Sequence, residues 1–293
     1  MKIEFSDFIN KKQSENRFVF HALEQTKTTQ CEFTFSVIMT LQFGYPTHIQ
    51  GRGSKSRMLI HHIGIECEMV NPVLGDITAR PFHGLLKWQT EVKPEMKKNF
   101  PLVNLPYLID GDTKIGGEFP ILHFLSEKYG YYGENEMEKG LVLAVSDFLK
   151  DMSTVAMGFS VYAQPGVTPL TEKVKNVLLP MYLKTLESQV KSCGKKYSVS
   201  DKITLADILF ILLIHKVCLF WKSALNEFPE VKRVYDELLK DEKIKESLDK
   251  EFELPVTCQY GLRFKELSED ELKEFKEKKL WETSTFVTNQ FDG

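Results

Sequence analysis

Apolar positions in the first half of the chain switch between a period of two and a period near that of a helix. Residues 33–43, rich in Phe, Val, Ile and Thr, read as a strand. Residues 44–53 form a loop punctuated by Pro46, Gly51 and Gly53, and helical periodicity resumes over 56–63 until Gly64 stops it. Residues 67–70 read as a second short strand, closed by Pro72 and Gly75. A basic connector over 82–100 is helical in places and ends at Pro101. Residues 103–115 read as two strands around an Asp110-Gly111 turn, the first made irregular by Pro106. A helix over 118–129 carries Pro120 in its first turn, where a missing N–H costs nothing.

Past Gly133 the strand signals fade. Helical patterns run over 136–157, 171–193, 204–220 and 230–239, and a last one over 269–281. Two of these starts are marked by capping boxes. Thr204 pairs with Asp207, with Ile203 and Ile208 as the staple; Ser268 pairs with Glu271, with Leu267 and Leu272 as the staple. The order β-α-β, connector, β-β-α, then helices alone predicts a mixed sheet followed by an all-helical part. Four segments result: an extension over 1–33, an α/β domain over 34–133, a helical domain over 134–255, and a tail with a helix over 256–293.

Composition narrows the classes. An apolar fraction of 42% is ordinary for a globular chain, and a formal charge of −3 gives no sign of a nucleic-acid or anionic-membrane surface. The longest apolar run, 208–219, holds His215 and Lys216 and is too short for a membrane span. The N-terminus has no signal-peptide core, and Glu4, Asp7 and Glu15 argue against an organellar presequence. The five cysteines, Cys31, Cys67, Cys193, Cys218 and Cys258, are irregularly spaced without a C-x-x-C, which fits free thiols in a reducing compartment. A cytoplasmic location is expected, with the mitochondrion as the alternative. Adjacent His61 and His62 point about 100° apart on a helix and do not share a face, so no metal site is expected. Met39, Met58 and Met69 read as core filler.

Two motifs carry a resemblance. One is Asn104-Leu105-Pro106-Tyr107-Leu108-Ile109-Asp110-Gly111, followed by Lys114-Ile115 and Ile121-Leu122; the other is Ile203-Thr204-Leu205-Ala206-Asp207-Ile208. With Ile49, Gly51 and Arg57 early, and Phe228-Pro229-Glu230-Val231 late, the chain resembles the glutathione S-transferases, most of all the mu and sigma classes, over about residues 35–250. The resemblance implies an α/β thioredoxin-like domain with a mixed sheet, followed by an all-α domain. It implies glutathione as substrate, conjugated to an electrophile without a cofactor, and a homodimer. It also implies a cis Leu105–Pro106 bond that turns the Leu105 N–H and C=O outward to a peptide. The capping pair Thr204 and Asp207 keeps a structural role.

The family's site maps onto this chain with departures. A strand-end tyrosine holds the thiol as thiolate in mu-like members, and Tyr45 is the candidate. Its spacing to Arg57 is one residue longer than the family pattern, which without an insertion would put Pro46 at that position, and an ordinary strand-end aromatic is the other reading. Gly117 and Glu118 stand where the family has Gln-Ser or Glu-Ser to take the γ-glutamyl carboxylate. A Glu118 carboxylate about 4 Å from that of a ligand would repel it by roughly 1 to 4 kcal/mol. Alternatively, Glu118 simply favours the positive end of its helix. Trp88 and Lys93 match connector residues that reach the peptide, or serve packing and solvation; Asn104, Leu105 and Pro106 match the backbone site. Arg57 matches a structural arginine, and Arg52 and Lys55 either supply a cation or solvate the loop. Two functions follow: conjugation of glutathione, or a catalytically degenerate fold serving as a structural or interaction subunit of a larger assembly.

Overall fold

The computed structural model describes residues 41–47, 50–72, 88–154 and 174–254. The N-terminal extension, most of the 33–43 strand with Met39, and the 269–281 tail helix lie outside them. The first half contains β1 (Leu41–Gly44), α1 (Ser54–Ile63), β2 (Cys67–Val70), α2 (Lys93–Lys97), β3 (Tyr107–Asp110), β4 (Thr113–Gly116) and α3 (Glu118–Tyr129). The sheet order is β2-β1-β3-β4, with β1 parallel to β2 and the other pairs antiparallel. This is the mixed sheet that the element order implies: a helix must return the chain for a parallel pair, whereas two residues suffice for the hairpin. Asp110 pairs with Thr113, so the turn residues are Gly111 and Asp112, one position later than Asp110-Gly111. Gly111 has φ 61°, which the tight hairpin turn needs.

The second half contains α4 (Glu136–Met152), α5 (Leu179–Cys193), α6 (Leu205–Phe220), α7 (Pro229–Leu238) and α8 (Glu242–Glu253). Helix α6 is the axis of the core. Almost every side chain from Leu205 to Val217 is buried, and α4, α7 and α1 pack around it. A helix apolar on all sides must be covered on all sides, which explains its central place. Its apolar length does not make it a span: no helix of the described residues is long and apolar enough to cross a membrane.

The start of α6 is held as the capping box requires. Asp207 is fully buried; one carboxylate oxygen accepts from the Thr204 N–H and hydroxyl at 2.8 Å each, the other from the Ser198 N–H and hydroxyl at 2.9 and 2.6 Å. Burial pushes the carboxyl up from the ordinary carboxylate range, and the four donors act against that shift. Helix α7 starts differently. Its N-cap Phe228 offers no side-chain bond, and Glu187 of α5 accepts from the Glu230 and Val231 N–H groups instead, at 3.0 and 2.9 Å. Arg233 of α7 returns the contact by donating to the Lys195 and Lys196 carbonyls just past α5.

Two expectations are corrected. Met69 is not core filler: it sits on edge strand β2 and is 41% exposed, whereas Met58 is fully buried in α1. Helix α8 was not among the expected elements. Its apolar positions, Ile244 and Leu248, are few and lie in a run of Lys and Glu, so the periodic signal is thin. A local cue was present, because Asp241 accepts from the Ile244 N–H at 3.0 Å as an N-cap.

Replacing Asp207 by Ala removes the acidic half of the capping box and strands four buried donors, with an expected loss of about 3 to 5 kcal/mol. That corresponds to a fall of roughly 10 °C in the melting temperature, measurable by circular dichroism. A fall under about 2 °C would refute this assignment of stability to the network.

Candidate functional site

The turn between β1 and α1 is wrapped around Tyr45. Cβ atoms added at Gly51 and Gly53 would each lie 2.3 Å from the Tyr45 side chain, so these glycines allow the turn to close on the ring. The Tyr45 hydroxyl accepts from the Arg52 N–H at 2.9 Å, and the Arg57 guanidinium lies 5.9 Å from the ring centre. Tyr45 is 7% exposed, and burial pushes its hydroxyl up to about 12. The hydroxyl thus has a bond inside the turn and stays protonated.

At the other edge of the site, the Leu105–Pro106 bond is cis. The Pro106 carbonyl accepts from the Gly117 N–H at 2.7 Å, which joins the entrance of β3 to the start of α3. The Leu105 N–H and C=O have no partner among the described residues. Gly117 has φ 101°, a conformation suited to glycine at this N-cap. The next residue, Glu118, is 4% exposed and points its carboxylate to Lys55 at 2.7 Å and to the Arg52 Nε at 3.6 Å. Lys55 thus forms a direct ion pair with Glu118, and Arg52 adds a second, more exposed positive charge at longer range. The repulsion computed for a bare carboxylate does not apply as stated, because two positive charges now flank the negative one. The buried acid also lies in the first turn of α3, where the helix dipole favours it.

The connector residues take different places. Trp88 is 1% exposed and stacks on Tyr107, with ring centres 6.2 Å apart. Lys93 begins α2, half-buried; burial, then Lys97, lower its pKa, and no acid pairs with it among the described residues. Asn104 is exposed. The structure thus gathers Tyr45, Arg52, Lys55 and Glu118 on one side and Leu105, Pro106 and Gly117 beside them. Trp88 lies behind Tyr107.

Two residues of this region escaped the sequence reading. Glu251 of α8, buried, receives the Arg57 guanidinium on both oxygens, with Nη2–Oε2 at 2.7 Å. Buried Gln50 donates from Nε2 to the Glu251 main-chain carbonyl at 2.8 Å, and the Gln50 main-chain carbonyl accepts from Arg57 at 3.2 Å. Glu251 was hidden with its helix, although it follows Ile244 and Leu248 at helical spacing; nothing local marks Gln50. The adjacent histidines part as expected: His61 meets Glu246 at 2.9 Å, and His62 meets the Tyr131 hydroxyl at 2.6 Å.

Comparison with known proteins supplies the wider setting. A family model described as the C-terminal domain of glutathione S-transferase matches residues 150–251. Glutathione S-transferase Mu 1 of Oryctolagus cuniculus is 30% identical over 201 residues, covering 66% of this chain and 84% of its own length. Glutathione S-transferase Mu 6 of Mus musculus is 31% identical over 199 residues, with the same coverage. Among solved structures, the Pi-class glutathione S-transferase of Onchocerca volvulus aligns with a TM-score of 0.59 at 23% identity, covering 75% of this chain and 98% of that one. A monomeric glutathione S-transferase from the hookworm Necator americanus aligns at 0.57 and 22% identity, covering 72% and 97%.

The ion pair around Glu118 can be measured. A double-mutant cycle with Lys55→Met and Glu118→Gln, followed by urea unfolding, is expected to give a coupling of about 1 to 3 kcal/mol. A coupling below about 0.5 kcal/mol would show that the two charges are effectively independent.

Proposed function

The chain belongs to the glutathione S-transferase family, and from that premise we propose that it keeps the fold as an interaction scaffold rather than as a conjugating enzyme. The observation that carries this reading is the buried Glu118 carboxylate held by Lys55 and Arg52. A ligand carboxylate arriving at the start of α3 meets an internal one already in contact with the nearby cations. A tethered competitor acts at an effective concentration in the millimolar range or higher. The position of Tyr45 supports the same reading: its hydroxyl is buried and bonded to the Arg52 N–H, away from the role of holding a thiolate. Self-association as a homodimer, or inclusion in a larger assembly, belongs to this reading. So does a cytoplasmic setting, with which the free Cys67, Cys193 and Cys218 agree.

Conjugation is the second reading, and one observation favours it. Among the described residues the Leu105 N–H and C=O beside the cis bond have no partner, which fits a peptide ligand.

Calorimetric titration with reduced glutathione, alongside conjugation assays on several electrophiles, separates the two. The scaffold reading expects no measurable heat and no turnover above the uncatalysed rate for the native chain, with binding gained in Glu118→Ser. Native binding with turnover, and no gain in Glu118→Ser, would establish the enzyme instead.

A further inference from the structure

We infer that the packing of α8 on α1 is a proton-sensitive clasp between the two halves of the molecule, closed while the His62 imidazole is neutral. The inference does not depend on whether the chain conjugates glutathione.

The seam is built from charges in antiparallel order. Along α1 come Arg57, His61 and His62, and α8 answers with Glu251, Glu246 and Asp241. Lys243 donates to the His62 carbonyl at 3.0 Å, at the C-terminal end of α1 where a cation is favoured. Only Ile244 and Leu248 give α8 deeply buried apolar side chains. A contact held this way responds to charge more than an apolar face would.

His62 is the group best placed to control it. Its Nε2 lies 3.5 Å from Asp241, and its Nδ1 lies 2.6 Å from the Tyr131 hydroxyl. With the Nε2 proton toward Asp241, Nδ1 accepts the proton of Tyr131. That phenol is held in its protonated form, since burial and then Asp241 push it up to about 12. A second proton on the imidazole makes Nδ1 a donor, so the Tyr131 hydroxyl must turn to accept it, and adds positive charge beside Lys243 and His61. Burial above all, then Lys243 and His61, hold His62 below its ordinary value of 6.5, against the attraction of Asp241. The neighbouring His61 faces Glu246, which also lies 4.0 Å from Lys250; this pair is exposed and counts for little in either direction.

The direction follows from linkage. The separated histidine binds its proton near pH 6.5 and the docked one at lower pH, so the clasp is fully closed above 6.5. Each unit of acidification below that value opens it by up to about tenfold, until the docked imidazole itself titrates. Asp241 is also the N-cap of α8, so opening at His62 loosens the first turn of that helix. At the far end of α8, Gln50 and Arg57 hold the turn that carries Tyr45, Arg52 and Lys55. Release of the clasp thereby frees the candidate site from behind.

Hydrogen–deuterium exchange on the full chain at about pH 7.5 and pH 5.5, corrected for intrinsic rates, tests this. Amides of α8 should lose roughly tenfold protection in acid while those of α6 keep theirs. His62→Gln should flatten the response. Asp241→Asn, which preserves the cap but removes the charge attracting the His62 proton, should enlarge it and extend it to lower pH. Equal acid responses in α8 and α6, an undiminished response in a folded His62→Gln protein, or an unchanged one in Asp241→Asn would each overturn the inference.

Discussion

A guanidinium laid against a carboxylate joins the two halves of this protein. Arg57 leaves α1 and meets Glu251 of α8, with Gln50 closing the arrangement from the preceding turn. Both acid and amide are buried, so the guanidinium and the carboxylate each depend on the other for compensation of their charge. Removal of one member would leave a buried charge, a cost of about 3 to 5 kcal/mol in comparable cases. The arrangement also fixes the path of the chain between β1 and α1. That path places Tyr45 under Arg57 and delivers Arg52 and Lys55 to Glu118.

The candidate site holds a charge cluster of its own. At the start of α3 the helix end and both cations face a carboxylate of the chain itself. Glu118 lies where a carboxylate belongs in electrostatic terms, at a helix N-terminus beside two basic side chains, and the net charge of the three groups still favours an anion nearby. The open peptide edge at Leu105 remains beside it. Backbone geometry at such a site belongs to the fold, whereas side-chain chemistry belongs to single positions.

Much of the fold was legible because its signals are local. The hairpin, the Pro120 helix start and the Thr204–Asp207 box each lie within a few residues, and each appears in the structure. What was not legible is long-range. Lys55 and Glu118 are separated by 63 positions and Arg57 and Glu251 by 194, and neither pairing leaves a pattern in either segment alone. Helix α8 was missed for a related reason: most of its surface is charged, and what specifies it is the partner it docks on. The burial of Tyr45 follows from two glycines whose importance appears only once the ring between them is placed.

The exchange between α5 and α7 bears on the order in which the helical half assembles. Helix α7 has no cap of its own; its first N–H groups are satisfied by Glu187, more than forty positions earlier in the chain. Until α5 has arrived, the start of α7 must leave those groups to water, so its first turn has little reason to persist. By contrast, α6 carries a capping box within its own segment, although its first N–H, that of Leu205, donates to the Tyr131 carbonyl at 2.9 Å. The chain thus contains a helix whose start is specified mostly by its own residues and a helix whose start is completed by a neighbour.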